Sequence, residues 1–577
     1  MRGDQVTENT AKGFTDEQIA CLMSALTKLE LTAPSTDKAP VEHVYGTPIE
    51  DLCKEEIAKY KLHPLDMWDR LEYWTARNEI ATGLDQFLLR HLGFFNVEPA
   101  SPGYMIRLRL PACQMRGDQM QAVADIADTY GAGHAHVTTR GNLQVREIAP
   151  KDVLNVMDAL TNAGLSCQGS GADSARNLTT SPTAGFDAVE LIDLAPQTRR
   201  LSNLILNKRE LRALPRKFNI SFDNGGRISA LSDSNDIAFQ AISVGSNAPI
   251  DAGIYCRIGL GGISGHRDLT RDTGMICMPD QTVMAGFAML LVFVEHADRT
   301  NRKRSRLKYL LDAKGIDWFV TATQTKLDEM DAGFQLISLD ITHDMARPAV
   351  DRQGHIGFHP QSDPTFNYAG IALEMGRLSS DQMRAIGRIA LMYGRNDIRL
   401  TVWQNVLIPH IPTALSEQIG RELGNVDLST CATAFAAGAV ACTGKTACKL
   451  GLAHTKENGT ALVRHLEDNF TLDSPINIHL TGCPNSCAQH YIGDIGLVGA
   501  TTPDGVAGYH VVLGGGSDHD KGIGRPLCGP VPHTELNSVI AQVVKNYLDR
   551  RAEGETFLTF VRGLPDDALP TLCAPSP

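Results

Sequence analysis

The sequence predicts a multi-domain α+β protein in which two half-domains are duplicated about an internal pseudo-twofold. Three observations lead there. The chain has 577 residues, and at about 150 residues per domain that means three or four domains. One segment recurs at a constant offset of 263 residues, with eleven identities over 31 ungapped positions. Each copy reads as an extended run, a helix and a second extended run.

Taken in order, residues 1–74 read as a helical, weakly constrained arm. Residues 75–165 hold the first copy. Tyr104 to Leu110 is an apolar extended run. The helix follows, with Met120, Val123, Ile126 and Ala127 at helical spacing. Tyr130-Gly131 ends it, the glycine suiting a left-handed cap. A second strand then runs through Val137, Thr139, Leu143 and Val145. Residues 347–428 hold the second copy, with Tyr368 to Leu373 as the run and Tyr393-Gly394 as the stop. Between them, residues 166–346 form a mixed α/β region, with a turn feeding a strand at Leu214 to Phe222 and a long helix from about Pro279 to Lys314. Residues 429–577 carry most of the closely spaced cysteines and end in a Pro-rich tail, Pro570 to Pro577.

Composition limits the function. Net charge is −12, which argues against a nucleic-acid partner. An anionic substrate would need a local cationic site. Residues 1–20 are polar and acidic, and the longest apolar stretch, Val283 to Val294, is about half of a membrane span. A soluble, cytoplasmic protein with no membrane partner is expected. Thirteen cysteines, an odd number, in such a chain point to metal or redox thiolates rather than a disulfide scaffold.

Four of them are patterned. Cys442 and Cys448 are spaced C-x5-C, Cys483 and Cys487 C-x3-C, both among glycines and small residues. Four converging thiolates suit a cubane iron–sulfur cluster. Closed zinc sites favour shorter knuckles, and four unrelated buried cysteines are the plainest alternative. On spacing alone these readings stand about even.

Cys442-x5-Cys448 followed by Thr481-Gly-Cys-Pro-Asn-Ser-Cys487 resembles the cluster and haem signature of the sirohaem-dependent nitrite and sulfite reductases, and the duplication matches that family too. The resemblance covers roughly residues 75–560 and is nearest in character to the ferredoxin-type assimilatory nitrite reductases. It implies ferredoxin-like half-domains, mixed α/β domains for sirohaem and cluster, a [4Fe–4S] cluster on Cys442, Cys448, Cys483 and Cys487, and Cys487 as the shared axial ligand of sirohaem. By the same resemblance Arg107, Arg176, Lys217 and Asn219 hold the substrate anion, and Thr138, Arg140, Asn142 and Gln144 cradle sirohaem. Arginine forks and a lysine charge suit small anions whose reduction consumes protons.

The activity implied is six-electron reduction of nitrite to ammonia. Sulfite reduction is the alternative on the same cofactors, a corrinoid precursor another substrate, and a non-catalytic iron–sulfur or zinc protein the remote reading. Asn219, where sulfite reductases of the family tend to carry a second lysine, favours the monoanion nitrite. So do Ala441-Cys-Thr443-Gly444, and Asn485-Ser486 with Asp494-Ile-Gly496. Three departures bear on pocket shape: Pro111-Ala112-Cys113 replaces Pro-Gly-Gly, Gly141 replaces a glutamine, and His490 follows Cys487 closely. No strand–GxGxxG–helix unit appears, so the electrons come from a separate ferredoxin or flavoprotein to a monomer. Arg299 to Lys308 is the densest basic run, read as a docking face, a haem-carboxylate contact or a solvated helix face.

Overall fold

The computed structural model describes residues 43–573 except Ala346 and Pro348. Of the expected arm, residues 1–42 lie outside the described residues, as do residues 574–577 of the tail. Residues 1–50 and 51–577 are separate units. In the first, His43–Val44 pairs antiparallel with Thr47–Pro48. The second opens with helices Lys54–Lys61 and Trp68–Arg77.

The first half-domain runs β1 (Tyr104–Arg107), α1 (Gly117–Tyr130), β2 (His134–Val137), β3 (Leu143–Ile148) and α2 (Val153–Asn162). The single second strand expected through Val137 and Val145 is a hairpin. Thr138 and Asn142 close its turn, the Thr138 N–H donating to the Asn142 carbonyl at 2.9 Å. The apolar spacing of α1 is borne out: Met120, Val123, Ile126 and Ala127 are all buried. Gly131 is not a left-handed cap, since its φ is −123°. Glycine is needed there for close approach. A Cβ would stand 2.8 Å from the Arg146 carbonyl oxygen on β3.

The middle region builds a six-stranded sheet that includes β4 (Ile220–Asp223), β5 (Ile237–Val244) and β6 (Gly253–Leu260), with β4 parallel to β5 and β6 antiparallel to it. The helix expected from Pro279 to Lys314 is two, α3 (Thr282–His296) and α4 (Leu307–Lys314). It breaks where the Asp298 carboxylate accepts from the N–H groups of Thr300 and Asn301, a local bond that competes with the helix ladder. α3 is apolar almost all round and buried, which explains the apolar stretch without a membrane. Among the described residues no helix is long and apolar enough to cross one.

The second half-domain repeats the first: β7 (Phe366–Ile371), α5 (Ser380–Met392), β8 (Ile398–Leu400), β9 (Val406–Pro412) and α6 (Ser416–Gly424). The correspondence reaches the helix caps. Gln119 accepts from the Arg116 N–H at 2.9 Å, and Gln382 from the Ser379 N–H at 3.0 Å. The two copies also exchange strands. Gln114–Met115 of the first pairs with β8 of the second, while Arg377–Ser379 of the second pairs with β2 of the first. Arg377↔His136 and Arg399↔Gln114 are the same pairing read through the pseudo-twofold. α1 and α5 cross closely, and both copies contribute to one apolar core.

The last region is a five-stranded sheet in sequential order: β10 (Ala439–Ala441), β11 (Ile478–Thr481), β12 (Ile495–Thr501), β13 (Ala507–Leu513) and β14 (Arg525–Pro532). The first three are parallel. The crossover between β10 and β11 contains α7 (Thr455–Asn469), and α8 (Leu536–Arg550) packs against it. Cys442 directly follows β10, and Cys483 lies two residues past β11. Adjacent parallel strands thus deliver both cysteine loops at their carboxyl ends, the edge where open α/β sheets place their ligands.

Candidate active site

One cavity of about 410 Å³ is lined by all twelve residues singled out from the sequence: Arg107, Thr138, Arg140, Asn142, Gln144, Arg176, Lys217, Asn219, Cys442, Cys448, Cys483 and Cys487. They come from three regions. The β1 strand and β2–β3 hairpin supply the first five; Lys217 and Asn219 lie in the segment leading into β4, and Arg176 on a neighbouring segment whose N–H donates to the Phe218 carbonyl at 3.0 Å; the two cysteine loops supply the rest.

The hairpin residues divide by task. Thr138 and Asn142 brace the turn: Thr138 Oγ1 donates to Asn142 Oδ1 at 2.5 Å, and Asn142 Nδ2 donates to the Leu108 carbonyl at 2.9 Å. Arg140 extends across the cavity and donates to Asn235 Oδ1 at 2.6 Å and the Ser234 carbonyl at 3.2 Å. Gln144 Oε1 accepts from Arg146 at 2.7 Å. Thr139 Oγ1 donates to the Cys487 carbonyl at 2.9 Å, tying this turn to the second cysteine loop.

Arg107 lies over the Phe95 ring at 4.6 Å, a cation–π contact. Arg176 Nε is buried without a hydrogen-bond partner. With its amide oriented to suit both neighbours, Asn219 donates to the Phe218 carbonyl and accepts from Arg140, each at 3.3 Å. Burial pushes Arg176 down to about 9, Arg107 beside it adding to the shift. Lys217 falls to about 7 through burial and the charges of Arg176 and Arg306.

Around the thiols, the Gly482 N–H donates to Cys442 Sγ at 3.1 Å and Asn485 Nδ2 to Cys483 Sγ at 3.5 Å. Burial, then the neighbouring Cys487, raises Cys442 to about 12. Among the described residues no three histidine, cysteine or carboxylate side chains stand close enough to hold one metal ion. The four thiols share one cavity, and N–H groups face the sulfurs of Cys442 and Cys483, a donor set that fits the corners of a cubane.

The cations are the strongest feature. Among the described residues Arg107, Arg140, Arg146, Arg176, Lys217 and Lys456 all line the cavity, and none makes an ion pair with a carboxylate. Arg216 and Arg306, also on the wall, are paired with Asp173 and Asp236. Unpaired charges buried together are costly unless opposite charge is supplied. A polycarboxylate macrocycle, an anionic cluster and an anionic substrate would supply it, so the residues present fit those groups.

Arg146 and Lys456 were missed from the sequence, whereas Arg306 lies in the basic run already singled out there. Arg146 was legible, since Asn142, Gln144 and Arg146 share one face of a period-two strand. Lys456 offers no such signal. The basic run Arg299 to Lys308 is a loop entering α4, not a helix face. Arg299, Arg302 and Arg306 pair with Glu56, Asp173 and Asp236, while Lys303 and Arg306 line the cavity. His490 lies outside the cavity lining. It is buried with neither ring nitrogen hydrogen-bonded and is held neutral, pushed down to about 3 by burial.

The two loop departures compensate each other. Ala112 and Cys113 both have φ near +60°, the region where the Gly-Gly of the family pattern would sit without strain. Cys113 Sγ occupies the space beside Gly141, where a Cβ would meet it at 2.3 Å. The cysteine fills what the missing glutamine leaves.

Comparison with known proteins agrees with this geometry. The nitrite and sulphite reductase 4Fe-4S domain matches residues 171–330 and 435–556. The nitrite/sulfite reductase ferredoxin-like half domain matches residues 98–163 and 359–426. The ferredoxin–nitrite reductase of Synechococcus elongatus is 31% identical over 517 residues, covering 86% of this chain and 96% of that protein. The chloroplastic ferredoxin–nitrite reductase of Zea mays is 29% identical over 472 residues, covering 79% of this chain and 81% of that protein. The solved structure of Mycobacterium tuberculosis NirA superposes with a TM-score of 0.81 at 26% identity, over 90% of this chain and 97% of that one. With both half-domains and both parts of the cluster domain matched, the chain belongs to the nitrite and sulphite reductase family.

Proposed function

We propose that this chain reduces nitrite to ammonia, taking six electrons one at a time from an external ferredoxin. The observation that carries this is the set of cations, without carboxylate partners among the described residues, that converges on the cavity holding four cysteines. The relatives named as ferredoxin–nitrite reductases support the substrate and the donor.

On this reading Cys442, Cys448, Cys483 and Cys487 hold a [4Fe–4S] cluster, with Cys487 also ligating sirohaem. Arg140 and Gln144 face the macrocycle, while Thr138 and Asn142 hold their hairpin in shape. When bound, sirohaem and cluster supply an open iron site for the anion and the single-electron equivalents. Arg107 and Arg176 bind and orient the anion; the Phe95 ring backs the Arg107 guanidinium, and the Arg176 N–H, donating to the Phe218 carbonyl, anchors the backbone that carries the second fork. Lys217 holds a proton at Nζ and can release it near neutral pH. Asn219 contributes an amide where a further lysine would favour a dianion. Residues 75–165 are assigned as the wall that carries Arg107 and the hairpin, 347–428 as its supporting counterpart, 166–346 as the wall that carries Arg176, Lys217 and Asn219, and 429–577 as the source of the thiolates.

The test is turnover of the as-isolated protein with reduced viologen, nitrite and sulfite in parallel. Faster nitrite consumption with ammonia as product is expected. Faster sulfite turnover would overturn the substrate assignment and keep the cofactors. A colourless protein without haem bands would overturn both.

A further inference from the structure

Lys456 is the second residue of α7 and only 2% exposed. It lines the cysteine cavity and also a second cavity of about 580 Å³ on the Arg377 side. Its Nζ donates to the Met375 carbonyl at 2.5 Å. Among the described residues no carboxylate pairs with it. Its neighbour Glu457 is engaged by Arg377 at 2.6 Å and by Thr446 at 3.2 Å. Burial, then the charges of Arg146 and Arg377, pushes Lys456 down to about 7, so its ammonium is held fully charged only where something bound provides negative charge.

The surroundings add positive rather than negative potential. Arg146, buried and without a carboxylate partner among the described residues, donates to Thr443 Oγ1 at 2.7 Å and the Ala447 carbonyl at 3.3 Å, both inside the first cysteine loop. The fifteen-residue α7 directs its N-terminus at the same loop. Thr455 Oγ1 donates to the Cys442 carbonyl at 2.6 Å and lies 3.8 Å from Cys442 Sγ. A helix N-terminus carries about half a positive charge. Lys456 therefore stands next to the residue that touches Cys442, and it shares no hydrogen bond with Arg107, Arg176 or Lys217.

We propose that Lys456, at the N-terminus of α7, sets the reduction potential of the cluster held by Cys442, Cys448, Cys483 and Cys487 by fixing a positive charge behind Cys442. This rests on the cluster assignment above. Adding an electron makes the cluster more negative, so a nearby cation stabilises the reduced form and raises the potential. Lys456 is a positioning residue in this sense: it acts through the cluster and does not touch substrate. Its charge makes the cluster easier for an external donor to reduce.

The experiment uses purified holoenzyme, wild type alongside Lys456→Met and Lys456→Arg. The cluster midpoint is read by electron-paramagnetic-resonance titration, with iron and sirohaem content measured on the same samples. Lys456→Met is expected to hold about tenfold less reduced cluster at a fixed potential, a 59 mV negative shift for a one-electron couple. Lys456→Arg is expected to keep the wild-type midpoint. Loss of cluster from the methionine variant alone also supports a requirement for the charge. An unchanged midpoint in Lys456→Met with full iron overturns the proposal. So does loss of cluster, or the same shift, in both variants, because packing rather than charge would then be the cause. Absence of any cluster signal from the wild type would overturn the cluster assignment itself and this proposal with it.

Discussion

The two half-domains share a backbone and have opposite linings. At the 263-residue offset, Arg107 corresponds to Gly370, Arg140 to Trp403, Gln144 to Leu407 and Arg146 to Pro409. The turn residues survive as Thr138/Thr401 and Asn142/Asn405. In both copies the threonine N–H donates to the asparagine carbonyl at 2.9 Å. Where the first copy lines a cationic cavity, the second packs Trp403 into a small core with Phe186, Tyr368, Leu407 and Val440. Trp403 stacks on His355 at 5.8 Å. Frame and chemistry are written in different residues of the same strands. Polar turn residues and caps keep the fold, while the hairpin positions that face the middle and last regions decide whether a copy binds anions or fills with apolar side chains.

Making the first copy resemble the second should have the largest effect. Arg140→Trp is expected to empty the site of sirohaem, seen as loss of the haem absorption bands from soluble protein. Retained bands would mean that Arg140 is not what faces the macrocycle. Arg176→Leu removes one anion donor and leaves the frame intact. A drop of about a hundredfold in kcat/KM for nitrite is expected, the usual scale for one preorganised donor, with the bands kept.

Perturbing the second copy should act on stability alone. Trp403→Ala is expected to cost roughly 3–5 kcal/mol of stability, read as a lower urea midpoint, with the haem bands unchanged in the folded protein. His355 responds to pH. Burial pushes it down to about 4, so the folded state keeps it neutral while the unfolded chain takes up a proton below about 6.5. Its contribution is therefore constant above that pH and is lost as pH falls towards 4, about 3 kcal/mol in all. His355→Asn should flatten that part of the acid slope, and an unchanged slope would show that other buried histidines account for it. The smallest effect is expected at the compensated loop. Gly141→Ala should cost roughly 1–3 kcal/mol by overpacking, and Cys113→Gly in the same chain should recover part of it. Additive losses would show that the two positions are independent.

Much of this was legible in the sequence. The helices were readable from Met120, Val123 and Ile126 because burial imposes a period, and the cysteine loops from their spacing. Every residue chosen for the site lines the cavity, because the motifs that carry a resemblance are the ones chemistry holds fixed. The break at Asp298 was hidden, since one side-chain bond to two N–H groups outweighed a long apolar run. Gly131 was misread because its constraint is a neighbouring strand, which local sequence does not show. The exchanged strands Gln114–Met115 and Arg377–Ser379 are too short to display any period. Lys456 was invisible because its place depends on a helix packing behind a loop.

That exchange has a bearing on how the molecule can change over time. Each copy completes its partner's sheet, so neither is a module that could be lost, transplanted or replaced alone. On the cavity side the two copies differ, arginine in one and tryptophan in the other. Along the shared seam the two halves are bound to a common history, and a change in either must be tolerated by both.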